Sequence, residues 1–323
     1  MRPSESEFPL VSIVIPNYNG KSILRKCLKR LLAKTNYPNL KIIVVDDGST
    51  DSSSEMVKKE FPSVILLRNR KNVGFTKSSN IGWKYAFDNL NSKYVVIFNN
   101  DIMIFQRNWL TKLIKALQLP HVGVVAPQLI SQEEKIQHVG YSYEPSMYLG
   151  LDLLRKKRME KNSIWEVDAV MCPMIIRREV TERIGLFDEV FSPFYSEDHD
   201  YCFRAKKAGW KILYVGNVKC IHYGSYTLRR LMKSKKMFIS YLQKRNNFIF
   251  LWRYFPKSPL FVLALFYSLI TSIVAPRDTS QPMFPRNFKL KRNCYREILM
   301  VNTALKEAYR LKDIHLIPHL SKN

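Results

Sequence analysis

The chain has 323 residues, 46% of them apolar and only 11 of them glycine, which excludes a disordered or fibrous class and leaves room for two subdomains. Its formal charge of +25 is uneven: residues 201–277 hold fifteen Lys and Arg and no acid, against +5 for residues 1–200 and +5 for 278–323. That asymmetry calls for a polyanionic partner, either nucleic acid or an anionic lipid surface. The five cysteines (Cys27, Cys172, Cys202, Cys220, Cys294) form no C-x-x-C pair, so neither a zinc knuckle nor a disulfide framework is indicated, and reduced thiols are expected. The opening MRPSESEFPLVSIVIP sets acids ahead of a short apolar run, the reverse of a secretory leader, and predicts a cytoplasmic body.

Taken in chain order, LVSIVI (10–15), KIIVVD (41–46), VILLR (64–68), YVVIF (94–98) and VGVVA (122–126) are short β-branched runs without alternation, as expected of strands covered on both faces. Ile23, Leu24, Cys27, Leu28, Leu31 and Leu32 repeat at helical spacing between the first two. Ser52 and Glu55 have the spacing of a capping box for a helix ending near Phe61. Strand and helix keep alternating, which predicts an α/β fold with a doubly wound, mostly parallel sheet. Such sheets bind ligands beyond the carboxyl ends of their strands.

Those ends are polar: Pro16-Asn17-Tyr18-Asn19-Gly20, Asp46-Asp47-Gly48-Ser49-Thr50-Asp51 and Asn99-Asn100-Asp101. Neither G-x-x-x-x-G-K-[ST] nor a G-x-G-x-x-G after the first strand is present, which excludes a P-loop ATPase and the usual dehydrogenase. A site made of carboxylates and amides can neutralise a diphosphate through a divalent cation held by one carboxylate and the phosphates, and Asp101 is the candidate ligand.

PNYNG (16–20), VDDGSTD (45–51), NVGFTKSSNIG (72–82), FNND (98–101) and FYSEDHDYCFRAKKAGW (194–210) resemble, in order and spacing, the family 2 glycosyltransferases, particularly non-processive, rhamnosyltransferase-like members. The resemblance covers roughly residues 8–250. It implies the GT-A fold and inverting transfer of a sugar from a nucleotide-diphosphate donor to a glycan or lipid-linked acceptor, with Mg²⁺ or Mn²⁺. FNND falls on the family's D-x-D position with only its last carboxylate kept. By the same resemblance Pro16, Tyr18 and Asp47 hold base and ribose, Asn80 lies beside the donor, and Asn19 and Asn100 are assigned to the donor with them. The residue chemistry agrees in part: Asp47 can accept the imide N–H of a uracil or thymine and Tyr18 can stack on the ring, which favours a pyrimidine donor. Asp46 and Asp51 read as structural ties of the turn and of the next helix.

Glu197, Asp198 and Asp200 fall in the first turn of a helix ending near Lys206, Lys207 and Gly209, where acids also simply complement the helix dipole. The resemblance makes Asp198 the base and gives Glu197 and Asp200 to the acceptor. His222, closing the run Val218–His222, is either an ordinary polar strand end or, by resemblance, a ligand of the metal or diphosphate; His138 and His199 have no such support. Arg245, in an Arg245-Asn246 pair, either meets a phosphate or is surface charge. The Q-x-x-R-W signature of chain-extending members is absent, which favours a single addition.

The expected divisions are 1–130 for the donor half, 131–225 for the acceptor half and 226–323 for a basic, apolar helical region. There RRLMKSKKMFISYLQKRNN (229–247) reads as a basic helix, and 258–276 is nineteen residues without charge, at the short limit for a span. An in-plane or packed helix is the first expectation and a full span the second, placing the protein at the cytoplasmic face of the membrane, peripheral or single-span. A nucleic-acid-binding protein and a non-catalytic nucleotide-sugar-binding relative are the other classes. No nucleic-acid motif accompanies the basic tract, and the carboxylates Asp47, Asp101 and Asp198 are all in place.

Overall fold

The computed structural model describes residues 8–138, 140–141, 164–224 and 226–255, with isolated helical positions at 303, 306, 307, 310 and 311. The chain divides into two compact units, Met1–Leu231 and Met232–Asn323.

The first unit is organised on one ten-stranded sheet. Strands β1 (Val11–Asn17), β2 (Leu40–Asp46), β3 (Ile65–Arg68) and β4 (Tyr94–Ile97) are parallel and ordered β3-β2-β1-β4, joined through helices α1 (Lys21–Lys34), α2 (Ser53–Glu60) and α3 (Phe75–Asp88). Then follow β5 (Ile102–Ile104), α4 (Trp109–Leu117), β6 (Val122–Ile130), β7 (Ile136–His138), β8 (Ile164–Val167), β9 (Met174–Arg177), α5 (Arg178–Ile184), α6 (Glu197–Lys207) and β10 (Lys211–His222). β9 inserts antiparallel between β4 and β6, while β10 runs parallel to β6 and antiparallel to β5 and β8. The segments on either side of residue 130 therefore share one sheet.

Both faces of that sheet are covered, which explains the unbroken apolar runs. On one face Val11, Ile13 and Ile15 of β1 pack with Ile23, Leu24, Cys27, Leu28 and Leu31 of α1 and with Leu110, Leu113 and Leu117 of α4. Val14, Ile43 and Val45 point the other way, toward Trp83 of α3 and Tyr201, Cys202 and Ala205 of α6. Leu32 falls off the buried stripe and is 43% exposed. The four described cysteines are buried and unpaired, as expected.

The capping box does not form. Ser52 sits at φ 59°, whereas an N-cap residue holds extended backbone, and its side chain makes no cap bond. Asp51 does that work: Oδ1 accepts from the Ser53 N–H at 3.1 Å and Oδ2 from the Lys21 N–H at 2.8 Å, so one carboxylate serves the starts of α2 and α1. Asp46 accepts from Ser54 Oγ at 2.6 Å and faces Arg68 at 3.4 Å, also a structural tie.

Helix α7 (Tyr226–Tyr254) is the long helix expected of the basic segment and lies largely in the second unit. Phe250 packs its ring against Tyr254 and Phe255 with centroids at 5.1 and 6.1 Å. No helix among the described residues is long and apolar enough to cross a membrane. The apolar segment 258–276 lies outside the described residues.

Candidate active site

The polar strand ends converge because β1, β2 and β4 are parallel and in register, with Asn17 opposite Asp46 and Val14 opposite Ile97. Asn100 Nδ2 donates to Asn17 Oδ1 at 2.8 Å, and the Asn19 N–H donates to Ser49 Oγ at 2.9 Å. Asn19 Oδ1 accepts from the Thr50 N–H at 2.8 Å, so Asn19 and Asn100 brace the shelf from within. Gly20 lies so close that a Cβ there would come within 2.6 Å of Asn17 Oδ1 and of Asn100 Nδ2. Tyr18 is half-buried beside this shelf, and Pro16 is buried inside β1. Asn99 Oδ1 is buried without a hydrogen-bond partner among the described residues.

Asp47, 3% exposed, is more heavily engaged than its expected contact with a base requires. Oδ1 accepts from Asn69 Nδ2 and the Val73 N–H and Oδ2 from the Gly74 N–H, each at 2.9 Å. A carboxylate offers about four acceptor sites, so about one remains for a ligand. The loop it holds leads to the second carboxylate cluster. Gly74, at φ 92°, touches Pro193 so closely that a Cβ would meet its Cβ at 2.4 Å, and the Thr76 N–H donates to Pro193 O at 3.1 Å.

Asn80 differs from its expected place against the donor. Its amide clamps Phe187, with Nδ2 donating to the carbonyl at 2.9 Å and Oδ1 accepting from the N–H at 3.1 Å. Phe187 is 3% exposed and packs against Trp83 and Tyr201 with centroids at 5.3 and 5.7 Å. These contacts fix the loop before α6. Asp200 also departs from expectation: at 0% exposure it cannot meet an acceptor. Its Oδ2 accepts from Arg204 Nε at 2.7 Å, and the same guanidinium donates to the carbonyls of Ile184 at 2.6 Å and Leu186 at 2.9 Å. Asp200 thus anchors the loop through Arg204.

The chain enters α6 through two left-handed residues, Tyr195 at φ 80° and Ser196 at φ 68°, an arrangement costing about 1–3 kcal/mol per residue. It delivers Glu197 and Asp198 to the first turn of the helix, where both are buried. Their surroundings differ. Burial raises the Asp198 pKa, but the His199 charge and backbone hydrogen bonds, including one from the His199 N–H at 2.9 Å, pull it back. Glu197 is pushed well above the usual carboxylate range, by burial first and then by the charges of Asp198 and Asp200, and its Oε2 has no donor among the described residues. Burial and the neighbouring acids therefore oppose ionisation at Glu197, while hydrogen bonds from backbone N–H groups favour the anion at Asp198. His199 is held by its ring against Tyr141, centroids 4.2 Å apart, and burial lowers its pKa.

At the other end of the shelf the antiparallel register sets His222 of β10 opposite Ile102 of β5, one residue beyond Asp101. His222 Nε2 lies 3.4 Å from Asp101 Oδ1. His222 Nδ1 lies 2.9 Å from Gln137 Oε1, while Gln137 Nε2 donates to the His222 carbonyl at 3.2 Å. A carbonyl only accepts, so that bond fixes the Gln137 amide with Oε1 toward the ring, where it accepts a proton carried on Nδ1. Nε2 is the ring nitrogen that faces the carboxylate. One imidazole and one carboxylate facing at this separation suit a divalent cation, and no cluster of three or more His, Cys, Asp or Glu occurs among the described residues. Gln137 was not foreseen; its partner is 85 residues away and no motif marks it. Arg245 belongs to the second unit, where Nε donates to Asn246 Oδ1 at 2.9 Å and Nη1 lies 3.4 Å from Glu307, with burial lowering its pKa.

A mixed sheet with acids and amides at its strand ends and a carboxylate pair opening a late helix has the architecture of a GT-A type domain. The sequence model of glycosyl transferase family 2 matches residues 12–185, more than half of the 323 residues, and the chain belongs to that family. The match ends before Glu197. Relatives include the O-antigen biosynthesis protein RfbC of Myxococcus xanthus, 26% identical over 68% of this chain and 18% of its own length. The low-salt glycan biosynthesis hexosyltransferase Agl10 of Haloferax volcanii is 23% identical over 74% of each chain. The uncharacterized protein y4gI of Sinorhizobium fredii is 24% identical over 67% of this chain, which spans only 25% of that relative. Among solved structures, the mannosyltransferase PcManGT from Pyrobaculum calidifontis, in complex with GDP-Man and Mn²⁺, shares the fold at a TM-score of 0.53 and 17% identity, over 99% of this chain and 79% of its own. GalNAc-T7 with UDP, GalNAc and Mn²⁺ does so at 0.58 and 15%, over 95% and 58%.

Proposed function

We propose that the chain is an inverting glycosyltransferase that moves a sugar from a nucleotide-diphosphate donor to a hydroxyl of a glycan or lipid-linked glycan in one displacement. The observation that carries this reading is the facing of His222 Nε2 and Asp101 Oδ1 at 3.4 Å on the polar edge of the sheet. These two residues would hold Mg²⁺ or Mn²⁺, and the imidazole favours the softer Mn²⁺. When bound, the cation supplies charge neutralisation to the departing diphosphate. The PcManGT and GalNAc-T7 structures were both solved with Mn²⁺.

The chain's own groups divide the rest. Tyr18 and the remaining acceptor site of Asp47 orient the donor base, and a pyrimidine imide fits that acceptor. Asp198, the ionised member of the buried pair, takes the proton of the acceptor hydroxyl as it attacks the anomeric carbon. Protonated Glu197 offers a hydrogen-bond donor beside it and keeps a second negative charge out of the site. The sequence of residues 229–257, with nine Lys and Arg and no acid, supports an acceptor presented at an anionic membrane surface.

Incubation with a panel of nucleotide sugars and analysis of the released sugar by ¹H NMR tests this reading. Inverted anomeric configuration is expected, first seen before mutarotation. Retention overturns the single displacement.

A further inference from the structure

We propose that Gln137 is a positioning residue of the cation site, holding His222 in the one tautomer that can bind a metal through Nε2. The inference rests on the metal reading above. Gln137 lies on β7, which folds back on the end of β6, and the pairing of β10 with β6 stops at Ile221 opposite Ile130. His222 therefore extends one residue past the end of β6, and Gln137 reaches it from the hairpin. Two hydrogen bonds close a ring between the residues: the Gln137 amide N–H to the His222 carbonyl at 3.2 Å, and the imidazole Nδ1–H to Gln137 Oε1 at 2.9 Å.

The first bond decides the second. With Nε2 of the amide committed to a carbonyl, Oε1 has one orientation and can only accept, so the proton belongs on Nδ1. The isolated neutral imidazole has no such constraint, and its other tautomer would aim an N–H at Asp101 and satisfy the carboxylate without any cation. Gln137 thus opposes the competing state in which His222 and Asp101 hydrogen-bond to each other. It also fixes the ring plane. Outer partners of metal-bound histidines change metal affinity by about 10–100-fold when removed. Gln137 is exposed, so a polar side chain bound twice to one residue is not explained by core packing.

The test uses the full chain, with Gln137→Leu removing both bonds and Gln137→Glu keeping an acceptor against Nδ1 while losing the donor. Two readouts separate tautomer control from mere bracing of the hairpin. Long-range ¹H–¹⁵N correlation of labelled histidines, with the His222 signals assigned through His222→Ala, reports which nitrogen carries the proton. Calorimetric titration with Mn²⁺, alone and with UDP, reports affinity. The expected result is an Nδ1–H ring in wild type and in Gln137→Glu, an Nε2–H population in Gln137→Leu, and Mn²⁺ binding weakened about 10–100-fold in Gln137→Leu with the Glu variant within about threefold of wild type. An unchanged tautomer in Gln137→Leu overturns the proposal, as does equal loss of Mn²⁺ affinity in both variants. Wild type that binds no Mn²⁺ under either condition overturns the metal reading itself. An intact wild-type affinity that Gln137→Leu leaves unaltered overturns only the role of Gln137.

Discussion

Replacing Glu197 by Gln and, separately, Asp198 by Asn distinguishes the two buried carboxyls. Burial and the charges of Asp198 and Asp200 raise Glu197 well above the carboxylate range, and with Glu197 as the protonated member of the proposed pair Gln reproduces its charge and shape. Asp198 is raised by burial but favoured as an anion by backbone N–H groups, that of His199 among them, and Asn removes its ability to accept a proton. A general base contributes about 10²–10⁴ in rate, or about 2.7–5.5 kcal/mol at 1.36 kcal/mol per tenfold. Steady-state transfer assays should therefore show Asp198→Asn losing that factor in kcat with donor affinity kept, and Glu197→Gln staying within about threefold. The acid limb of kcat/KM should fall as pH drops through an Asp198 pKa above its usual value, and that limb should persist in Glu197→Gln. Stability carries the same signature. A carboxyl whose folded pKa is raised binds its proton more tightly in the native state, so its contribution is lost as pH rises from the unfolded value, about 4.3 for Glu, through the raised one. The midpoint of thermal unfolding should fall less steeply with pH over that window in Glu197→Gln than in wild type. A loss of about 10² or more in Glu197→Gln, with Asp198→Asn losing less than tenfold, would show that Glu197 is the base and refute the assignment of the charge.

Asn80→Ala should destabilise the first unit by about 2–6 kcal/mol in urea titration, because it leaves the Phe187 N–H and carbonyl buried without partners, at about 1–3 kcal/mol each. An effect below 1 kcal/mol would mean that water replaces the clamp. Asp47→Asn sets an amide against the N–H groups of Val73 and Gly74, and should lower kcat at saturating donor as well as weaken donor binding. A change in donor affinity alone would show that the contact through Gly74 and Pro193 does not reach Asp198. Liposome flotation should show binding to anionic vesicles at low salt and release at about 1 M salt, where the Debye length is about 3 Å. Protein that ignores anionic vesicles and binds RNA or DNA tightly at low salt would contradict a lipid surface as the partner of the basic tract.

How far the sequence alone reaches can be read residue by residue. The runs that became β1 to β4 were plain because they alternate with helical patterns and because β1, β2 and β4 are almost wholly buried. β9 was not: MIIR is only four residues long and pairs with β4 some eighty residues earlier, a non-local contact that no local pattern encodes. Asp101, His222, Glu197 and Asp198 were picked out by motif position, and the structure places them at strand and helix ends. Their supports were not. Asn80 and Gln137 act on partners 107 and 85 residues distant, and only the folded sheet brings those backbones within reach. Asp200 did carry a local sign, because Arg204 follows at i+4, the spacing of a helical ion pair. Ser52 misled because the capping-box pattern ignores the backbone, and a left-handed residue cannot cap as an extended one does.

The central claim, that Asp101 and His222 hold a cation against a donor diphosphate, is tested most directly by calorimetric titration of UDP- and GDP-sugars into wild type and Asp101→Ala, with Mn²⁺ and with EDTA. At least one nucleotide sugar should bind wild type with Mn²⁺ and about 100-fold more weakly in EDTA. Asp101→Ala, still folded by circular dichroism, should bind weakly in both conditions. Donor binding of equal strength with and without Mn²⁺ in both proteins would contradict the account.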